Sequence, residues 1–195
     1  PENIYRAVKE WFDRQEDRVI CDLEGKHVLV TAGPTYENID PVRFIGNYSS
    51  GKMGFAIAAE CAARGARVSL VAGPVELPTP EFSTIDRINV TSAVEMLQAC
   101  ERRFDDVDIA VMCAAVADYA PAETSDTKIK REGVEEMVIR LRRNPDIAKT
   151  LGSRKRHGQI LVGFALETDH EETNAEKKLE KKNLDWIVLN SLRDP

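Results

Sequence analysis

The sequence predicts an α/β fold: a Rossmann-like, doubly wound and mainly parallel sheet with a β-hairpin or flap insertion. Three observations predict it. Short β-rich runs alternate with helical patterns along most of the chain, as strand-helix-strand crossovers require. Several of those runs, "HVLVTAG" and "VDIAVM" among them, are apolar throughout, as strands covered on both faces are. One stretch, "TKIKREGVEEMVIRLRR", breaks the rhythm with two alternating arms around Glu132-Gly133, the pattern of a hairpin.

The elements follow in order. "IYRAVKEWF" puts Ile4, Ala7, Val8, Trp11 and Phe12 on one helical face, and the charged "DRQEDR" after it is a connector. "HVLVTAG" is the first buried strand, ending at Gly33. "SGKMGFAIAAECAARGA" is a helix with Met53, Ile57, Ala58 and Cys61 on its apolar side and Gly65 as its stop. "RVSLVAGP" is a second strand. "SAVEMLQACERRF" is a helix capped by Ser92, with Glu95 as its capping-box partner. "VDIAVMCAAVADY" is the next strand and leaves Asp118 and Tyr119 past its carboxyl end. After the hairpin, "NPDIAKTLG" starts a helix with Asn144 as cap and Pro145 at the first helical position, and Gly152 stops it. "QILVGFA", "ETNAEKKLEKKNL" and "DWIVLN" complete the pattern as strand, helix and strand.

Bulk properties narrow the function classes. At 195 residues the chain can bury a real core, roughly 70% of its unfolded surface. A formal net charge of -6 argues against broad binding to nucleic acid or an anionic membrane, since both need a basic face. No apolar run approaches the ~20 residues of a membrane span. Cys21, Cys61, Cys100 and Cys113 show no C-x-x-C or other metal spacing and follow no secretory segment, so reduced thiols in a cytoplasmic protein are expected. Pro1 in place of Met suggests a chain cut from a longer polypeptide.

The stretch "GNYSSGKM" fits the phosphate-loop pattern G-x-x-x-x-G-K-[ST] except at its last position, where Met53 replaces the hydroxyl that would hold magnesium. The first strand ends at Gly33, and "PTYENIDPVRFI" intervenes, so a magnesium-nucleotide loop is disfavoured. What remains is a helix N-terminus preceded by Ser49, Ser50, Gly51 and Lys52, suited to an anion. A Gly/Ser turn that merely caps a helix would have the same sequence. G-x-G-x-x-G is absent, and "VAGP" supplies no acid for a ribose. Lys178 and Lys182 lie four apart with no acidic partner at helical spacing inside the helix; they suit either a polyphosphate or a solvated face. Lys128 opens the hairpin, "NPDI" offers another helix start, and Asp118 could accept from a base amine. A solvated lysine, a capped turn and a surface acid remain open for these.

Taken together, "TAGPTYENIDPVRFIGNYSSGKMGFAIA", "AAVADY", "KIK", "NPDI", "GFALET" and "KKNLD" resemble the bacterial phosphopantothenoylcysteine synthetase family, the ligase half of a bifunctional coenzyme A biosynthesis protein. The resemblance runs from about Lys26 to the end of the chain. It implies a phosphopantothenate-cysteine ligase that activates 4'-phosphopantothenate with CTP as an acyl-cytidylate, releasing pyrophosphate, and then forms the amide with cysteine, releasing CMP. By resemblance Asn47 binds the acyl-cytidylate and Lys128 assists its formation. Ala114 and Asp118 read the cytosine, Pro145, Asp146, Ile147, Ala148 and Phe164 complete the nucleotide pocket, and Lys178 and Lys182 hold the triphosphate. Asn47, Ser49, Ser50, Gly51 and Lys52 take the phosphopantothenate. Magnesium is expected on the CTP phosphates, with no metal held by the protein itself. A homodimer is expected, and FMN belongs only to an upstream decarboxylase domain. Residues 1-24 then form the linker helix from that domain, and 25-195 form the ligase domain, with its C-terminal edge truncated.

Overall fold

The computed structural model describes residues 21-130, 135-167 and 170-191. The expected N-terminal helix and the expected turn at Glu132-Gly133 lie outside them. The first strand, β1 (His27–Ala32), is buried at every position, as an apolar strand in the middle of a parallel sheet must be. Two short strands follow, β2 (Tyr36–Asn38) and β3 (Phe44–Gly46), paired antiparallel. Helix α1 (Lys52–Ala63) leads to β4 (Arg67–Ala72), and β5 (Ile85–Asn89) precedes helix α2 (Ala93–Phe104). Then come β6 (Ile109–Met112), β7 (Tyr119–Pro121) and β8 (Leu141–Arg143), helix α3 (Ile147–Arg154), β9 (Ile160–Glu167), helix α4 (Glu171–Lys181) and β10 (Trp186–Ser191).

Six strands form one parallel sheet in the order β10-β9-β6-β1-β4-β5. The chain leaves β1 toward β4 and β5, then returns to the other side of β1 for β6, β9 and β10. The crevice between the carboxyl ends of β1 and β6 is therefore the topological switch point, where doubly wound folds bind ligands. Alternate side chains of each strand feed opposite cores. Val28, Val30 and Ala32 pack with Phe55 and Ala58 of α1. Leu29 packs with Met96 and Phe104 of α2 and with Leu151 of α3. Phe104 is fully buried, which contributes about 1.5–3 kcal/mol and locks α2 to the sheet.

Three local expectations need correction. Met53 is 53% exposed, while Gly54 and Phe55 are buried. A Cβ on Gly54 would come within 2.5 Å of the Ala32 Cβ, so α1 rests its glycine directly on β1, and that close approach, rather than the longest apolar side chain, sets the helix rotation. The cap of α3 is Asp146, whose side chain accepts from the Lys149 N–H at 3.1 Å. Asn144 is instead buried and donates its Nδ2 to the Ala117 carbonyl at 2.8 Å. Gly152 lies inside α3 rather than beyond it.

The predicted hairpin also forms differently. Leu141–Arg143 pairs antiparallel with Tyr119–Pro121, not with the arm around Lys128. The reason is local: the Ile129 N–H donates to Asp40 Oδ2 at 3.1 Å, and its carbonyl accepts from Arg43 at 2.8 Å. With its N–H used and its carbonyl engaged by Arg43, Ile129 is tied to the β2–β3 turn in place of a ladder with the second arm. Ser92 caps α2 as expected, accepting from the Glu95 N–H at 3.2 Å, but the Glu95 carboxylate takes the N–H of Thr91 at 2.7 Å in place of the Ser92 N–H that a capping box would use. No helix among the described residues is long and apolar enough to cross a membrane.

Candidate functional site

The crevice is built by polar ties between two segments that leave β1 and β6 side by side. Thr31, buried at the end of β1, accepts the Ala114 N–H on its hydroxyl at 3.1 Å. Ala115 donates its N–H to the Gly33 carbonyl at 2.9 Å, and the fully buried Thr35 hydroxyl accepts from Ala117 at 2.9 Å. These bonds hold backbone polar groups that the strands no longer pair. Asn47 then reaches over from the end of β3: its Nδ2 donates to the Val116 carbonyl at 3.0 Å and lies 3.4 Å from that of Ala115. With its amide nitrogen used in this way, its carbonyl oxygen still has acceptor capacity.

The start of α1 borders the same crevice. Gly51 has φ 76 and no side-chain cap bond, and α1 carries no acid in its first turn. A Cβ on Gly51 would lie 3.5 Å from the Gly33 Cα, which places the helix N-terminus against the end of β1. Gly51 donates its N–H to the Ser49 hydroxyl at 3.3 Å, and Lys52 is 3.5 Å from that of Ser50. An N-terminus flanked by hydroxyls and a lysine, with no carboxylate of its own, favours an external anion.

On the far side, the Asn144 N–H donates to the Asp118 carbonyl at 2.8 Å, so Asp118 and the Pro145–Ala148 turn are neighbours by construction. Asp146 also pairs with Lys182 at 3.1 Å. Lys182, with no acid at helical spacing, thus finds one on α3. Lys178 sits half-buried one turn earlier, and its carbonyl accepts the Lys182 N–H at 3.0 Å. Ser50, Lys52, Asp118 and Lys128 are exposed, and Ser49 is half-buried. Phe164 stands apart from its expected companions: it packs on the α1 side of the sheet, whereas Ala114, Ile147 and Ala148 pack on the α2 side. Burial pushes the Cys113 thiol, next to Ala114, up to about 11, which removes it as a nucleophile near neutrality.

A match to a known family covers the site. Residues 23–195 match the DFP family, described as the DNA/pantothenate metabolism flavoprotein C-terminal domain. The chain belongs to this family. Among curated relatives, it is 55% identical over all of its length to 54% of a protein named cysteine/cysteine sulfinic acid decarboxylase, from an unknown prokaryotic organism. It is 49% identical over 98% of its length to 46% of the coenzyme A biosynthesis bifunctional protein CoaBC of Haemophilus influenzae. A crystal structure of the C-terminal domain of a CoaBC protein superposes with TM-score 0.74 at 46% identity, covering 85% of this chain and 76% of that one. The chain spans about half the length of the curated relatives it matches.

Sequence reasoning missed several residues that shape this DFP site. Asp40 is 1% exposed and holds Arg43 through Nε at 3.0 Å, together with the N–H groups of Val42, Arg43 and Ile129. The Arg43 guanidinium and those N–H donors hold its carboxyl far below the usual carboxylate range, against the cost of burial. Glu37, also buried, accepts from the Ala93 N–H at 2.9 Å and caps α2 from the β2–β3 ribbon. The Asp40-Pro41 pair was a readable turn signal; its partners far along the chain were not.

Proposed function

We propose that this domain is a phosphopantothenate-cysteine ligase working in coenzyme A biosynthesis with CTP. A carboxylate is a poor acceptor for an amine. In this reading the phosphopantothenate carboxylate attacks the α-phosphorus of CTP, a phosphorus-oxygen bond forms, and pyrophosphate leaves. The amine of cysteine then attacks the acyl carbon, and CMP leaves as the amide forms. Negative charge grows on phosphoryl oxygens in the first step, and lysine cations offset it.

The observation that carries this reading is the position of Asn47. Its amide is held over the Val116 carbonyl, between the α1 anion seat and the Asp118 segment, so it borders both halves of the proposed mixed anhydride. Ser49 to Lys52 take the phosphate of the pantetheine-type acid. Lys128 acts on the reacting phosphoryl group, Asp118 and the Pro145–Ala148 turn hold the base, and Lys178 and Lys182 hold the triphosphate. Because Asp146 already pairs with Lys182, its contribution runs through that lysine. Phe164 serves from the opposite face of the sheet. Magnesium fits on the nucleotide's own oxygens: Mg²⁺ demands a near-octahedral oxygen shell, and among the described residues no group of three or more His, Cys, Asp or Glu side chains comes together to build one. When bound it would neutralise phosphate charge.

The name bifunctional, carried by the Haemophilus influenzae relative, suits a two-part protein; a decarboxylase with its FMN in the other half, and a cytoplasmic location for both, are part of the proposal. A homodimer is part of the proposal. The β2–β3 and β7–β8 ribbons pack together; Val42 and Phe44 of the first, Leu141 of the second, and Met137 and Val138 just before β8 are exposed apolar side chains, of the kind a second copy would cover.

Release of the nucleoside monophosphate, measured with each of the four nucleoside triphosphates, tests the reading. CTP should support release that depends on both phosphopantothenate and cysteine. Release that ignores cysteine, or that prefers ATP, refutes it. The sheet order is also that of dinucleotide-binding folds, so an NADP-binding protein is the alternative; NADP binding tighter than CTP would favour it.

A further inference from the structure

We infer that Asp40 is a positioning residue that latches the Lys128 segment in register with Asn47; the inference rests on the ligase reading above. Asp40 divides its carboxylate between two tasks. Oδ1 accepts from the N–H groups of Val42 at 2.8 Å and Arg43 at 2.9 Å, which closes the turn between β2 and β3. Oδ2 accepts from Arg43 Nε at 3.0 Å and from the N–H of Ile129 at 3.1 Å, a residue 89 positions away. Arg43 completes the grip by donating to the Ile129 carbonyl at 2.8 Å.

The peptide groups of Ile129 are thereby held from both sides, and the lysines flanking it, Lys128 and Lys130, project from a fixed point. Two more bonds extend the seam: the Thr124 hydroxyl donates to the Asn38 carbonyl at 3.1 Å, and the Ser125 N–H to that of Ile39 at 3.0 Å. The strand that begins beside Arg43 ends at Gly46, one residue before Asn47. One rigid turn therefore fixes the residue for the second half-reaction and the segment that carries the cation for the first. A turn that only needed closing would use Oδ1 alone. Charge-assisted bonds of this kind are the strong ones, and a buried carboxylate with every oxygen occupied defines one geometry.

Asp40→Asn tests this in the intact protein, because Asn keeps an oxygen for the turn and presents an amide donor where Ile129 N–H and Arg43 also donate. Pyrophosphate release should fall roughly 10- to 100-fold, the cost of misplacing a reacting group by about 1 Å. In a double-mutant cycle with Lys128→Gln the two losses should not add, and trypsin should cut after Lys128 several times faster in Asp40→Asn than in the parent. Ile129→Pro removes the same donor from the other side and should slow release alike, with its thermal midpoint close to the parent's. Fully additive losses, or an unchanged cleavage rate, overturn the latch. If Lys128→Gln leaves pyrophosphate release intact, the ligase reading of Lys128 fails, while the cleavage rate still decides whether Asp40 holds the segment.

Discussion

Replacing Gly152 with Ala should destabilise the protein although it places a better helix former inside α3. In an exposed helix interior the exchange would gain about 1 kcal/mol. Here a Cβ would sit 1.9 Å from the Lys182 carbonyl oxygen and 3.0 Å from its carbon. The obstacle is backbone, which cannot rotate away, so α3 and the end of α4 must separate by about 1 Å or more; overpacking of this kind costs about 1–3 kcal/mol. The same separation pulls on the bond from Asn183 Nδ2 to the Gly152 carbonyl at 2.8 Å, worth a further ~0.5–1.5 kcal/mol. The losses exceed the gain, and the net is about 0.5–3.5 kcal/mol, or a fall of about 1–14 °C in thermal midpoint for a domain of this size. Lys182 is also the partner of Asp146. A calorimetric melt together with titration of CTP should therefore show a lower midpoint and weaker triphosphate binding, with affinity for phosphopantothenate unchanged. A midpoint equal to or above the parent's would refute the claim that Gly152 is there for close packing of α3 on α4.

Asn47→Asp should still release one equivalent of pyrophosphate but accumulate the mixed anhydride, since an acceptor-only carboxylate cannot donate to Val116; normal turnover in a quenched-flow assay would refute its role. Asp146→Ala removes the α3 cap and should cost about 1 kcal/mol, seen as a drop of about 2–4 °C in thermal midpoint. His27 is held below its usual pKa, first by burial and then by Arg67, with the Asp106 carbonyl opposing. Its folded form therefore binds a proton less readily than its unfolded form. The stability this contributes is complete above pH 6.5 and is lost as pH falls from there through the lower folded value; melts between pH 5 and 8 should show that slope in the parent and lose it in His27→Gln. Burial pushes the Cys100 thiol up to about 12, so a thiol reagent at pH 8 should label exposed Cys21 quickly and reach Cys100 only after unfolding.

The sheet was legible because its inner strands are apolar along their whole length, a signal that survives without knowledge of their neighbours. The edge strand β5, "IDRIN", has half-buried and exposed residues and blended into the loop before α2. Strands β2, β3 and β7 have three residues each, too few for any period to show. Ser92 as a cap could be read because the donor it serves lies three residues on. Asn144 could not be read correctly, because the carbonyl it serves lies 27 residues back. Lys182 looked unpartnered for the same reason: its acid comes from another helix. Local chemistry was visible, and long-range hydrogen bonds were not.

That division follows from how the crevice is made. In a phosphate loop, strand, glycine turn and helix are contiguous, and one motif can announce the site. Here residues 34–50 intervene between β1 and α1, so the helix start at Gly51 and the amide of Asn47 return to the end of β1 only after the β2–β3 ribbon has been built. The ribbon must therefore be fixed by contacts outside itself. Tyr36 gives its N–H to the Thr91 carbonyl at 2.8 Å, Glu37 caps α2, Asp40 holds Ile129 and Asn47 holds Val116. Together these ties reach the start of α2, the Ile129 segment and the loop after β6; the Glu37 and Asp40 carboxylates are buried, so water competes little for their bonds, while the Asn47 tie is exposed. A substitution in the ribbon should consequently change the spacing between the start of α1 and the Asp118 segment before it changes the sheet, and activity should fail at lower temperature than the fold.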